Sequence, residues 1–197
     1  MQFQAGDILA CYGGGWQSSV IRWATWGPSH VGIVAPISPD APNNLVVFES
    51  TTLCNHPCVI TGRKWNGVQA QRIQDRIDDY SGKVQRFSLM PAWDLSTDEA
   101  KFLSHILTKH HVGIPYDTSE AVISGTRVFK WSSFLPYPNG NLFCSELVAF
   151  CLMRMCRMAQ DNPARYNPAS LLRRLRREGK YGPPEWVDNR PTLGVTG

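Results

Sequence analysis

The first half of the chain carries its apolar residues in short blocks, and the second half carries them at helical spacing. Asp7-Ile8-Leu9-Ala10 reads as a strand start, followed by a Gly13-Gly14-Gly15 turn. Residues 18–25 place Val20, Ile21 and Ala24 on one face and predict a short helix, broken at Trp26-Gly27-Pro28-Ser29. Strands are expected at 30–34, 45–50, 68–73 and 84–89, each short and rich in branched or aromatic residues. The turn residues 40–44 make the first two of these antiparallel neighbours.

Helices dominate the second half. Ser96 and Glu99 have the spacing of a capping box, and Leu103, Ile106, Leu107 and His110 then share a face. Gly113-Ile114-Pro115 ends that helix. Residues 124–141 read as a loop with scattered aromatic anchors. A second helix is expected over 143–158, with Leu147, Val148, Cys151, Met155 and Met158 at helical spacing. Asn167-Pro168 reads as cap and first position of a third helix, which contains Leu171, Leu172 and Leu175. Strands first and helices later predict an α+β fold. One domain is expected over 1–181, with a proline-containing tail at 182–197.

Composition narrows the classes. A chain of 197 residues, 43% hydrophobic and 18% charged, is long enough for a core and too apolar for disorder. The formal charge of +4 is too small to suggest a nucleic-acid partner. The longest apolar stretch, residues 31–48, contains Asp40 and three prolines, whereas a membrane-spanning helix needs about 20 mainly apolar residues. The first residues have no basic region followed by an apolar run, so no signal peptide is expected. Together with six cysteines read as free thiols, this points to a reducing, cytoplasmic setting.

Cys144 carries the most chemical information. It opens an apolar helix, where unpaired backbone N–H groups and the helix dipole stabilise a thiolate. His30 opens one expected strand and Glu49 closes the next, so antiparallel pairing brings them side by side. An acid beside an imidazole fixes its tautomer, and an imidazole beside a helix-terminal thiol makes a nucleophile–base pair. Core packing of the cysteine, with a polar His–Glu contact at a strand end, accounts for the same residues without any chemistry.

The ordered set Gly6-Asp7-Ile8-Leu9, Ser29-His30-Val31-Gly32-Ile33-Val34, Glu49-Ser50, Gly67-Val68, Gly113-Ile114-Pro115-Tyr116-Asp117, Phe143-Cys144-Ser145-Glu146-Leu147-Val148 and Asn167-Pro168-Ala169-Ser170-Leu171 resembles the circularly permuted branch of the NlpC-like, papain-fold cysteine hydrolases. That branch is similar to lecithin:retinol acyltransferase-like enzymes. The resemblance implies a small antiparallel sheet or partial barrel packed on helices. It implies Cys144 as nucleophile, His30 as base and Glu49 as orienting residue. The activity expected from it is thiol hydrolysis of an amide or peptide bond, with peptidoglycan peptides as the broad family substrate and no cofactor. Tyr12 and Ser145 are candidates for an oxyanion or pocket contact. A lipid-directed cysteine esterase or acyltransferase and a non-catalytic binding module are the alternatives.

Three features stand outside that pattern. Trp16, Trp23 and Trp26, with Tyr116, either wall a substrate groove for a peptide or lipid-derived group or cover the core. Cys54, His56 and Cys58 offer three zinc ligands where a structural site wants four, so no metal is expected. Residues 154–180 hold eight basic side chains against Asp161 and Glu178, either a solvated helix face or a weak contact with an anionic surface.

Overall fold

Alternation of side chains across a pleated strand lets one sheet bury two faces at once, and this chain uses both. The computed structural model describes residues 2–12, 27–80, 83–116 and 142–187. The expected turn at 13–15, the helix at 18–25 and the loop at 124–141 lie outside them. So do Trp16, Trp23 and Trp26.

Six strands form one antiparallel sheet: β1 (Ile8–Tyr12), β2 (His30–Pro36), β3 (Leu45–Thr51), β4 (Gly67–Gln71), β5 (Lys83–Phe87) and β6 (Glu185–Val187). Their order is β4-β3-β2-β1-β5-β6, with β4 and β6 as edges. This is an open six-stranded sheet, larger than the small sheet or partial barrel expected. Beyond the prolines at 183–184, Trp186 pairs with Gln85 and adds the last strand to the sheet.

The helices are α1 (Ile73–Asp79), α2 (Thr97–Ile106), α3 (Cys144–Arg154) and α4 (Pro168–Arg177). Ile8, Ala10, Val31, Ile33, Val46 and Phe48 pack with Leu103, Leu107, Leu147, Cys151 and Leu171 in the main core. Leu9, Cys11, Val34 and Val47 point to the opposite face and pack with Ile77 of α1. Each fully buried leucine in such a core contributes about 1.5–3 kcal/mol.

Two helices depart from their expected spacing, each for a visible reason. After Ile106 the chain passes into a π turn, Leu107–His111, closed by the bond from Val112 N to Leu107 O at 2.9 Å. The wider turn delays the inward face by one residue, so His111 is buried and His110 is exposed. The helix expected to reach 158 stops at Arg154, because Cys156 takes a left-handed φ of 54°. Arg157 secures that stop, donating to Met155 O at 2.8 Å and Trp93 O at 2.7 Å.

The capping signals hold. Ser96 Oγ accepts from Glu99 N at 3.3 Å, while Ser96 N donates to Glu99 Oε2 at 2.8 Å. Asn167 Oδ1 accepts from Ser170 N at 2.8 Å at the start of α4.

Gly67 has a φ of 154°, and a Cβ there would collide with the carbonyl oxygen of Ile114. Ser96→Ala is expected to lower stability by about 1 kcal/mol in urea unfolding, the usual worth of a cap. Gly67→Ala is expected to cost more, about 1–3 kcal/mol, because backbone must move to relieve the contact. Equal midpoints for Gly67→Ala and the parent protein would show that the Ile114 segment yields freely.

Candidate functional site

Strand parity decides which polar groups meet. Val34 pairs with Val47, so His30, four residues before Val34, and Glu49, two after Val47, lie on the same face of the sheet. His30 Nε2 and Glu49 Oε2 are 2.7 Å apart, and both side chains are buried. With Nε2 committed to the carboxylate, Nδ1 is the nitrogen left for a second partner. The Cys144 sulfur lies near enough to raise the proton affinity of the imidazole. The structure therefore pairs His30 with Glu49 at one end of β2 and β3, with Cys144 at the start of α3 in their neighbourhood.

Cys144 reaches this point through a chain of backbone contacts. The turn at Gly67 lets Val68 N donate to Ile114 O at 2.8 Å. Pro115 O then accepts from Leu142 N at 3.0 Å, and Ser50 Oγ donates to Leu142 O at 2.6 Å. These bonds fix the entry to α3 beside the ends of β3 and β4. Glu146 Oε2 reaches back to accept from Phe143 N at 2.8 Å, so the first turn is closed by a carboxylate and Cys144 stands as the first helical residue.

Electrostatics favours a protonated His30. Burial lowers its proton affinity. The Cys144 sulfur, its hydrogen bond and the Glu49 carboxylate outweigh burial and raise the pKa to about 9. Tyr80 lies over the imidazole, with ring centroids 5.9 Å apart and planes inclined by 22°. Cys11 faces His30 in the β1–β2 register. Burial first, and then Glu49, push the Cys11 thiol well up, so this second sulfur stays protonated.

Sequence reasoning missed the residue that makes the buried carboxylate tenable. Arg76, 1% exposed, forms an ion pair with Glu49 Oε1 and a second with Asp79 at 3.1 Å. It comes from α1, a seven-residue helix within a stretch read as strand and unassigned chain. No capping side chain marks its start, and its residues, IQDRIDD, give only two apolar positions. The one available signal was Glu49 itself, since a buried charge requires a partner.

The other candidates lie elsewhere or are committed. The Tyr12 hydroxyl donates to Gln85 at 2.6 Å and its ring meets Trp186, on the far side of β1 from Glu49's strand. Ser145 donates its hydroxyl to the Tyr166 carbonyl oxygen and is wholly buried. Tyr116 packs against Phe143, with centroids 5.9 Å apart. Cys54, His56 and Cys58 engage separate partners: Trp65 O, Asp79 and the Ala70 amide. Among the described residues no three His, Cys, Asp or Glu side chains are grouped to hold a metal ion.

No family profile matches the chain, and neither does any curated protein. Among solved structures it is similar to the metalloprotein YiiX of Escherichia coli O157:H7, DUF1105, with a TM-score of 0.56 and 21% identity over 80% of this chain and 69% of that one. At that identity the likeness concerns the fold. It corrects the resemblance drawn from the sequence. The α+β fold stands, but as a YiiX-type sheet against helices rather than a circularly permuted papain-like barrel. The assignment as an NlpC-like cysteine peptidase or amidase, and the lipid-directed and binding-module alternatives that shared its fold, fall with it.

Two outcomes are expected from the buried charges. Removing one partner of a buried ion pair leaves the other charge uncompensated, so Arg76→Met should cost about 3–5 kcal/mol in chemical denaturation. The double variant Arg76→Met/Glu49→Gln should cost less than the sum of the single ones. The second concerns pH. His30 binds its proton more tightly in the folded chain, with a pKa of about 9 against an ordinary 6.5. Its stabilising contribution is complete below about 6.5 and is lost as pH rises through about 9. Unfolding free energy should fall across that window in the parent protein, with a shallower slope in His30→Gln.

Proposed function

We propose that the chain works through a reactive thiol at Cys144, with His30 as its proton partner and Glu49 as the group that positions His30. The observation that carries this reading is the buried imidazole held between a carboxylate and a sulfur. Imidazolium next to sulfur is the arrangement that activates cysteines generally. Arg76 anchors Glu49 through an ion pair.

YiiX is a metalloprotein, and that raises a metal centre as a second reading for this chain. Its donors here would be Cys144 and His30. Glu49 is already shared between His30 and Arg76, and no third ligand joins the two among the described residues. The thiol reading fits the donor set better.

Brief alkylation with iodoacetamide near pH 6, followed by peptide mass mapping, tests the proposal. Cys144, Cys58 and Cys151 are all buried, and burial pushes the Cys151 thiol up to about 12; Cys144 is expected to react ahead of the other two because His30 adjoins it. Cys156 is exposed and serves as an internal reference. His30→Ala should slow Cys144 roughly tenfold at this pH and leave Cys156 unchanged. Unreactive Cys144 in the folded protein, or equal rates in His30→Ala, would remove the proposal. Protection of Cys144 by equimolar zinc would transfer the site to the metal reading.

A further inference from the structure

A second concave site lies beside the far end of α3, away from the thiol. Ten residues separate Cys144 from Arg154, about 15 Å along a helix. The cavity there has a volume of about 560 Å³, within the range of roughly 300–1,000 Å³ of small-molecule sites. It is walled by Phe102 and His105 of α2, His110 and His111 of the π turn, Phe150 and Arg154 of α3, and two isoleucines. Five of these eight side chains present an aromatic ring.

Three observations define what fits. The first is the π turn, which faces His111 inward against Phe150 at 4.9 Å and leaves His110 at the rim, its ring edge-on to His105 at 5.8 Å. Such turns recur at functional sites because they re-aim side chains within a helix. The second is Phe102, a large apolar side chain on the cavity wall that is 51% exposed. The third is charge. Arg154 lies over the Phe150 ring at 5.0 Å and has no carboxylate partner among the described residues. None of the eight lining residues is acidic.

We propose that this cavity binds a small aromatic carboxylate, its ring system between Phe102, Phe150 and the histidines and its anionic group on Arg154. Aromatic walls favour a flat ring in offset or edge-on packing. A guanidinium at the rim recognises a carboxylate through paired N–H donors. An aliphatic chain would forgo the ring contacts, and a cation would meet Arg154.

The test uses the full chain and 2-naphthoate. Histidine labelled with 13C gives five resonances, of which His105, His110 and His111 report on the cavity, while His30 and His56 serve as controls. Titration is expected to move the three cavity histidines and leave the two controls in place. Arg154→Gln should weaken binding roughly fivefold to tenfold, as loss of one charge-assisted contact would, with Arg154→Lys intermediate. Phe102→Ala should weaken it as well; Phe102 is half-exposed, so this variant is expected to keep its fold. Naphthalene-2-methanol, which lacks the charge, should bind more weakly and be indifferent to Arg154→Gln. Unmoved cavity histidines, movement of His30 instead, or equal affinity in Arg154→Gln would overturn the proposal. So would tighter binding of decanoate than of 2-naphthoate, since it would remove the aromatic specificity.

Discussion

A carboxylate placed in the interior needs compensation, and much of the arrangement around β2 and β3 follows from that need at Glu49. The side chain is 1% exposed. Left alone it would take up a proton or destabilise the fold by several kcal/mol. Arg76 takes one of its oxygens and His30 the other. The guanidinium stays charged at any pH the protein meets, and its pairing with one oxygen leaves the other to accept from His30. The imidazole is thereby fixed in ring orientation, with Nδ1 left for a second partner.

This constraint reaches outward into the backbone. Arg76 can reach Glu49 only because α1 crosses the sheet face on which Glu49 lies, with Ile77 packed among Leu9, Val34 and Val47. Cys144 belongs to the other layer, whose core lies on the opposite face. The two layers meet at the strand ends, where Ser50 and Gly67 hold the segment leading into α3. The thiol–imidazole contact is thus a contact between layers, and its geometry depends on connections that have no chemistry of their own.

Much of this was legible in the sequence where local rules govern. Short apolar blocks marked β2 and β3, and with them the shared face of His30 and Glu49. The capping spacings of Ser96 with Glu99 and of Asn167 with Pro168 marked the starts of α2 and α4. What escaped depended on tertiary context. Helix α1 is too short and too charged to show an apolar stripe, so Arg76 remained invisible. The π turn cannot be seen from spacing, because an inserted residue changes the face without changing composition. The helix stop at Cys156 needs a left-handed cysteine, which no local preference predicts.

The family resemblance misled for a related reason. Several of its landmarks are explained by folding requirements alone. Gly6 has a φ of 91°, and a Cβ there would lie 2.6 Å from Leu89 Cδ1. Asp7 follows it because Arg86 of β5 needs a buried partner, at 2.7 Å. Asn167-Pro168 is a helix cap, and Gly67 marks a close backbone approach. Any chain building this sheet with these connections would be drawn to similar residues, whatever its chemistry. The basic stretch at 154–180 shows the same logic in charge: Arg157, Arg165, Arg174 and Lys180 are taken up by Glu99, Asp161 and Glu178. Residue types in order therefore speak first for architecture.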